Sequence, residues 1–275
     1  MSAKYKIERR VCKDPECKKE YDATVCQLMG VKIVMGDGWC PECNESFWKK
    51  KKAEEKLKLD ASNNHTRRLW RLRCGIPPKF QNEDFSTFII LRQPKAFKVC
   101  WDYAENYPLL KPRGYKSLVL FSEQSWGVGK THLSCSIGHR ILDRWNGEDI
   151  NCPVLFVSEP DLYLRLQATY QDRGIAKETE ADIIKQLVGV DLLIMDDIGK
   201  RRVVDPKFVQ RIMFAVIDGR YKTMRPMVLT ANLSPDGLGE YLGGGRQDEA
   251  SIDRLVEMSG KHFDKMEGKS YRSGV

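Results

Sequence analysis

Residues 117–131, SLVLFSEQSWGVGKT, decide the fold of this chain. The stretch begins with a short apolar segment, continues into a loop that holds Gly127 and Gly129, and is followed by a helical pattern over His132–Trp145. In a strand, glycine loop and helix of this kind, backbone amides and the helix dipole face a bound phosphate. We expect Lys130 to reach the β- and γ-phosphates of a nucleotide and the Thr131 hydroxyl to ligate Mg²⁺.

One position departs from the full phosphate-loop pattern, G-x-x-x-x-G-K-[ST], because Gln124 occupies the first glycine position. A Cβ there restricts the opening turn, which leaves the path of the loop open. The rest of the pattern is intact, so the prediction of phosphate binding stands. The predicted nucleotide contacts are Ser125, Trp126, Gly127, Val128, Gly129, Lys130, Thr131 and His132.

Four short apolar segments, each followed by a helical pattern, predict a mostly parallel sheet covered by helices on both faces. These segments are Ser117–Phe121, Val154–Ser158, Asp191–Met195 and Pro226–Thr230. The predicted fold is therefore α/β. Ligands of such sheets bind at the carboxyl ends of the strands.

Polar residues follow two of these strands. Asp196 and Asp197 come directly after the third, about 65 residues beyond Lys130, and Asn232 follows the fourth. We assign Asp196 to Mg²⁺ and Asp197 to polarising the attacking water, which Asn232 would orient if the two strands are neighbours. A strand-end turn is the alternative interpretation of Asn232.

Further segments indicate a particular protein family. The phosphate loop and acid pair alone are shared by P-loop NTPases in general, whereas the order of these segments along the chain is typical of a much smaller group. The segments are Gly75-Ile76-Pro77-Pro78-Lys79-Phe80, the GVGKTHL loop, DLLIMDDIG, VLTANLS, Ile252-Asp253-Arg254-Leu255 and Ser270-Tyr271-Arg272. Over roughly 200 residues the chain resembles the DnaC/DnaI/IstB group of AAA+ ATPases, which are helicase loaders and accessory ATPases of transposons. The resemblance implies an AAA+ P-loop NTPase domain with ATP and Mg²⁺ as cofactors.

The resemblance also implies roles for two arginines. Arg254 is similar to the arginine finger of the family, which reaches ATP held by a neighbouring subunit of a homo-oligomer. Arg272 is similar to the sensor-2 arginine, which contacts phosphate within its own subunit. A surface arginine paired with Asp253 or Glu257 is the alternative for Arg254.

Cysteines cluster at the amino end of the chain, where five of nine lie in the first 43 residues. Cys12-x4-Cys17 and Cys40-x2-Cys43 predict a small zinc-ribbon-like module in which two cysteine hairpins bind Zn²⁺, with Cys26 as a competing ligand. We place this module at residues 1–48, a charged linker or helix interrupted at Ser62–Asn64 at 49–73, and the ATPase domain at 74–275.

Length, composition and charge bound the function. The chain has 275 residues, 41% of them hydrophobic, which excludes disorder over its whole length. We find neither a secretory signal nor an apolar run that could cross a membrane, which predicts a cytoplasmic protein. The net charge is +8, and residues 1–73 contribute +7 of it from 18 basic and 11 acidic residues. Zinc-bound thiolates would offset part of that surplus.

DNA is the expected partner of the basic and aromatic residues near the acid site. A positive groove with an aromatic platform suits a single strand. The candidates are Lys200, Arg201, Arg202, Tyr163 and Tyr170, each of which could equally be a surface cation or a core tyrosine.

Three functions fit these features. The first is a DnaC-like loader that binds ATP, assembles on single-stranded DNA and delivers the replicative helicase. The second is an accessory ATPase resembling IstB that binds duplex DNA and engages a transposase. The third is a zinc-dependent scaffold that uses ATP only as an assembly ligand.

Overall fold

The computed structural model describes residues 4–28, 31–34, 38–123, 125–145, 151–171, 178–199, 206–243, 249–260 and 262–271. The chain divides into two compact units, Met1–Asn64 and His65–Val275. The boundary between them falls inside the segment 49–73, which the sequence assigns to a charged linker or helix. One continuous helix spans the whole of that segment.

The first unit is a small antiparallel sheet followed by a helix. The strands are β1 (Lys4–Val11), β2 (Glu20–Leu28) and β3 (Val31–Val34), in the order β1-β2-β3. Helix α1 (Pro41–Arg73) follows. Proline in the first turn has the backbone angle of a helix, and Glu42 beside it complements the helix dipole. The second cysteine pair therefore lies at a helix start and not in the predicted hairpin.

Helix α1 is continuous through Ser62–Asn64, so the predicted interruption at this point is wrong. Serine and asparagine cost a helix interior only about 0.5 kcal/mol each. The flanking Lys, Glu, Leu and Ala residues are strong helix formers, and Asn63 is buried. These terms outweigh the local turn signal.

The second unit contains a five-stranded parallel sheet, which confirms the predicted α/β class. The strand order is β5-β6-β7-β4-β8. The strands are β4 (Leu118–Phe121), β5 (Val154–Ser158), β6 (Leu192–Ile198), β7 (Met227–Ala231) and β8 (Phe263–Lys265). Strand β8 was not predicted from the sequence, because it is only three residues long. The prediction from the sequence also ended the third strand before the aspartates, whereas β6 continues through both.

Helices connect the strands and cover both faces of this sheet. They are α2 (Pro94–Asn106), α3 (Lys130–Arg144), α4 (Glu159–Gln171), α5 (Glu180–Gly189), α6 (Pro206–Thr223), α7 (Pro235–Leu242) and α8 (Glu249–Ser259). Alternate strand residues point to opposite faces. Leu118 and Leu120 thus join the core under α2 and α3, while Val119 and Phe121 join the core under α4 to α8.

The segment before α2 covers the outer edge of β5. The backbone amide of Phe156 donates to the carbonyl of Cys74 at 2.6 Å. Gly75 has a φ of +90°, and a Cβ on it would lie 2.2 Å from the carbonyl oxygen of Phe156, so the approach requires glycine. Among the described helices, none is both long and apolar enough to span a membrane.

Candidate nucleotide site and cysteine cluster

The loop between β4 and α3 forms the floor of a cavity of about 590 Å³. Gly127 and Gly129 have φ values of +73° and +97°, which glycine adopts without strain. Helix α3 begins at Lys130, so its free backbone amides and its dipole face the cavity. Predicted contact residues from Trp126 to His132 line this cavity. Gln124 lies outside the described residues.

Lys130 is held at the carboxyl edge of the sheet. Its Nζ donates to Ser122 Oγ at 2.5 Å and to Asn232 Oδ1 at 2.8 Å. The hydroxyl of Ser122 in turn donates to the carbonyl oxygen of Ser125, whose side chain is half-buried. The ammonium group is therefore fixed between the phosphate loop and the end of β7, where a phosphate on the loop would lie within its reach.

The predicted magnesium ligands are in direct contact. The Thr131 hydroxyl donates to Asp196 Oδ2 at 2.9 Å, and the Thr230 hydroxyl donates to Asp196 Oδ1 at 2.6 Å. Asp196 is 3% exposed. A carboxylate next to a threonine hydroxyl is the oxygen donor set that Mg²⁺ takes when it also binds nucleotide phosphates. The two residues therefore fit this ion.

Asp197 lies at an irregularity of β6, where the pairing with β7 shifts between Met195 and Ile198. Its φ is +60°, which is uncommon outside glycine although aspartate tolerates it. Its backbone amide donates to Thr230 Oγ1 at 2.9 Å. This conformation places the Asp197 carboxylate in the cavity lining, 3.5 Å from Asn232 Nδ2. The structure thus brings together Lys130, Asp197 and Asn232.

The carboxyl-terminal segment contacts the phosphate loop. The Tyr271 amide donates to the Gly127 carbonyl at 2.8 Å, and a Cβ on Gly127 would lie 2.2 Å from Ser270 Oγ. The Tyr271 ring packs 5.7 Å from Phe88 and lies under the guanidinium of Arg92. The loop is therefore held from two sides by segments far away in the sequence.

Five residues of the cavity wall are not among the site residues that the sequence predicted. They are Lys79, Phe80, Glu83, Phe88 and Tyr271. Most of them belong to the segment before α2, and the sequence gives no reason to distinguish its aromatic residues from ordinary core residues. His132 joins this segment to α3, because Nε2 lies 2.9 Å from the Asp84 carbonyl and 3.1 Å from Thr87 Oγ1. The local sequence feature in this segment is Pro77-Pro78, which indicates a turn and not a ligand site.

Arg254 lies on α8, outside the cavity lining of its own subunit. Its Nε is 3.3 Å from Asp218 Oδ1 on α6. The guanidinium also lies over the rings of Phe214 and Tyr221, at 5.2 and 5.7 Å from their centroids. The pairing with Asp253 or Glu257 considered above does not occur.

Four of the other predicted site residues lie outside the described part of the chain, namely Arg272, Lys200, Arg201 and Arg202. Tyr170 is 58% exposed and donates its hydroxyl to Glu180. Tyr163 is a core residue, since it is 8% exposed and its hydroxyl donates to the buried Glu159. Of the two tyrosines, Tyr170 alone is available to a ligand.

Four cysteines of the first unit lie around one point. The sulfur atoms of Cys12, Cys17, Cys40 and Cys43 are all within 4.8 Å of one another. Those of Cys17 and Cys40 are 3.8 Å apart, which equals the separation of about 3.8 Å that tetrahedral Zn–S bonds of about 2.3 Å require. The cluster therefore fits Zn²⁺. The side chain of Cys26 lies outside the described residues.

The electrostatics of the cluster favour a thiolate. Burial opposes ionisation of Cys12, but hydrogen bonds from the Cys40 backbone amide and from neighbouring thiols lower its pKa to about 7. Sharing hydrogen bonds with Cys17 and Cys40 raises the pKa of Cys43. One ionised sulfur surrounded by thiol donors suits a soft cation, which binds the sulfur atoms and displaces the thiol protons.

A family model described as IstB-like ATP binding protein matches residues 115–274. The chain belongs to this family. Residues 115–274 include the whole parallel sheet and the cavity floor, and the α/β fold with its phosphate loop is that of AAA+ proteins. ATP binding is therefore a property of the family to which the second unit belongs.

Relatives of this IstB-like chain include proteins named replicative helicase loader DnaC. That of Buchnera aphidicola subsp. Baizongia pistaciae is 28% identical over 70% of this chain and 89% of its own length. That of Escherichia coli K12 is 26% identical over 66% of each chain. A crystal structure of the DnaC helicase loader superimposes with a TM-score of 0.53 at 20% identity, covering 69% of this chain and 98% of the other. At this identity the superposition shows a shared fold.

Proposed function

We propose that this chain is an ATP-hydrolysing helicase loader, which binds ATP–Mg²⁺, assembles with further copies on single-stranded DNA and delivers the replicative helicase. The observation that carries the proposal is the cavity at the carboxyl edge of the sheet. There the phosphate loop, Lys130, Thr131 and the acid pair converge with Asn232. The names of the DnaC relatives supply the proposed role of the motor.

The residues divide the proposed chemistry between them. Lys130 would bind the β- and γ-phosphates. Thr131 with Asp196 would hold Mg²⁺, whose positive charge would stabilise the negative charge that develops during phosphoryl transfer. Asp197 would accept a proton from the attacking water, which Asn232 orients by hydrogen bonds. Arg254 of a neighbouring copy would stabilise the transferring phosphoryl group.

Two further elements belong to this proposal. Arg272, the residue after Tyr271, would contact phosphate within its own subunit, since Tyr271 lies against the phosphate loop. Single-stranded DNA would contact the exposed ring of Tyr170 and the cations that follow the acid pair in the sequence, namely Lys200, Arg201 and Arg202.

The cysteine cluster suggests a second role, for the first unit. We assign Zn²⁺ to Cys12, Cys17, Cys40 and Cys43, and the proximity of their sulfur atoms, all within 4.8 Å of one another, supports this assignment. The zinc module would recruit the helicase. Its cation would stabilise a unit whose described residues include few buried apolar side chains, among them Ala23 and Val25.

Binding of ATP can be read from Trp126, which is 65% exposed at the cavity wall. Magnesium–ATP should change its fluorescence and give a calorimetric binding isotherm. The fluorescence change should disappear in Trp126→Phe, while the isotherm remains. Absence of magnesium-dependent ATP uptake by folded protein would remove the motor from the proposal.

Loading can be tested by pulldown with a replicative helicase and by turnover with DNA. We expect helicase capture by the full chain, loss of capture in Cys40→Ser/Cys43→Ser, and stimulation of ATP turnover by single strands more than by duplex. Cys152→Ser, which alters a cysteine of the ATPase unit, is the matched control.

A second candidate is supported by the family description itself, IstB-like ATP binding protein. In that case the chain would be an accessory ATPase of DNA transposition. Stimulation by duplex over single strands, together with capture of a transposase and not a helicase, would favour this function.

A further inference from the structure

Helices α6 and α8 hold Arg254 in a pocket of three side chains. Phe214, Asp218 and Tyr221 lie on one face of α6, four and three residues apart, which is the spacing of neighbours on a helix surface. All three contact the guanidinium, two through their rings and one through its carboxylate. The three residues are called the Arg254 cradle below.

The cradle constrains the arginine on several sides at once. Nε lies 3.3 Å from Asp218 Oδ1 in an ion pair, and Nη1 donates to the carbonyl of Ala250 at 3.2 Å. Within the part of the chain that the structure describes, Nη2 has no hydrogen-bond partner. The side chain is 26% exposed. A guanidinium held this way keeps one donor edge for a ligand that is not part of its own subunit.

The cradle itself is anchored by further ion pairs and hydrogen bonds. Lys222 binds the other Asp218 oxygen at 2.6 Å, so the carboxylate is shared between two cations. The Tyr221 hydroxyl donates to Glu257 on α8 at 2.9 Å, which fixes the ring that flanks the arginine. Arg254 thus has a defined orientation before any partner arrives.

We infer that the Arg254 cradle is a positioning device for the arginine finger, with Asp218 as the residue that sets the orientation of the guanidinium presented to a second copy of this chain. The inference rests on the proposed in-trans role of Arg254. An arginine fixed in advance loses less side-chain entropy when it engages phosphate. Misplacing a catalytic group by about 1 Å can cost about 100-fold in rate.

Mixed assemblies of two variants test this inference. Asp197→Asn subunits keep Arg254 but cannot hydrolyse ATP, and Arg254→Ala subunits keep an intact ATP site but offer no finger. Each should be inactive alone, and the mixture should recover turnover in trans. Asp218→Asn is then placed in either partner. Asp253→Asn is the matched control, because Asp253 is an exposed carboxylate on α8 next to Arg254.

We expect Asp218→Asn in the finger-donating subunit to lower kcat of the mixture about tenfold or more with KM for ATP unchanged. In the ATP-hydrolysing subunit the same change should have no effect. A purely structural defect would lower turnover from both subunits. Asp218→Glu should recover part of the activity, since it restores the carboxylate.

Two results would overturn the inference, and they are distinguishable. Full turnover with Asp218→Asn in the donor would show that the cradle does not position the finger, while the in-trans mechanism stands. No recovery in the unaltered mixture would reject the in-trans finger and the cradle with it. Phe214→Leu in the donor is the second variant, because Phe214 is 39% exposed and we expect the fold to tolerate this change.

Discussion

At the scale of single residues, the proposed nucleotide site depends on backbone conformations that few residue types accept. Gly129 precedes α3 with a φ of +97°, and a Cβ on it would lie 2.8 Å from the Phe88 ring. Asp197 adopts a φ of +60° beside the pairing shift of β6. The strained conformation of Asp197 persists only where surrounding contacts determine it, whereas Gly129 adopts its conformation without strain.

Gly129→Ala should therefore weaken both folding and nucleotide binding. An alanine in this left-handed backbone conformation, with its Cβ against the Phe88 ring, should lower the free energy of unfolding by about 1–3 kcal/mol. The control is Gly189→Ala at the end of α5, where a Cβ would meet nothing within 4 Å. Urea unfolding and calorimetry with ATP would measure both. Equal stability of the two variants would contradict the role assigned to Gly129.

Glu159 is the second residue with an unusual environment. It is 1% exposed, and its oxygens accept from the Gly199 amide at 2.8 Å, the Tyr163 hydroxyl at 3.1 Å and the Tyr241 hydroxyl at 3.0 Å. Burial raises the pKa of Glu159 to about 7, against the effect of these hydrogen bonds. The carboxyl joins the end of β6 to α4 and α7.

The raised pKa predicts a stability that falls as pH increases. Between about pH 4.5 and pH 7 the folded protein binds this proton more tightly than the unfolded chain does, so the free energy of unfolding should fall by about 1–3 kcal/mol. Glu159→Gln should remove that decrease. Urea unfolding from pH 5 to pH 8 measures it.

Glu178→Gln is the control for this experiment. A hydrogen bond from Arg165 lowers the pKa of Glu178, so this group titrates below the window and its removal should leave the slope unchanged. An identical slope in wild type and Glu159→Gln would show that Glu159 is ionised throughout.

At the scale of elements, one buried arginine joins the ends of α5, β6 and β7. Arg220 on α6 is fully buried and donates to the carbonyls of Leu187 at 2.7 Å, Val190 at 3.0 Å and Asp191 at 3.1 Å, and also to that of Pro226. Helix ends and strand starts leave carbonyls without partners. A planar guanidinium satisfies several of them from one position.

Arg220→Lys should destabilise the ATPase unit by about 3 kcal/mol or more, because a single ammonium cannot reach carbonyls on opposite sides and leaves buried acceptors unpaired. Arg211→Lys provides the comparison. That arginine is 53% exposed and pairs with Glu180, so its replacement should cost below about 1 kcal/mol. Thermal unfolding followed by circular dichroism would separate the two. Equal melting temperatures would contradict the assignment.

At the scale of the whole molecule, the chain consists of two units stabilised by different means. The unit His65–Val275 has a large apolar core on both faces of its sheet. The unit Met1–Asn64 contains a cysteine cluster and a small sheet. A unit of this size commonly needs a metal or disulfides to fold.

If the cysteine cluster holds Zn²⁺ as proposed, removal of the ion should unfold the first unit and spare the second. A strong chelator, or Cys17→Ser, should release one Zn²⁺ per chain and abolish an early unfolding transition, while ATP affinity stays the same. Cys152→Ser should retain the metal. Metal analysis and differential scanning calorimetry would measure these effects. Loss of ATP binding on chelation would contradict the independence of the two units.

Much of the site could be predicted from the sequence because its signals are local. The phosphate loop is one continuous segment, and the acid pair and Asn232 each follow an apolar strand pattern. Parallel strands end at one edge of a sheet, so these segments had to meet once β6 and β7 were neighbours. The cysteine spacing likewise indicated a metal site.

Other features of the site arise from contacts between distant segments. No spacing rule in the sequence connects the residues that form these contacts. They are the cavity wall at Phe88 and Tyr271, the hydrogen bonds of the buried Glu159 and the cradle around Arg254. The continuity of α1 was also decided against a local turn signal. Short-range patterns in the sequence determined which elements form and which loop lines the cavity, since hydrophobic period and glycine conformation act locally. Tertiary packing alone decided what surrounds them, because that depends on the order of the strands in the sheet.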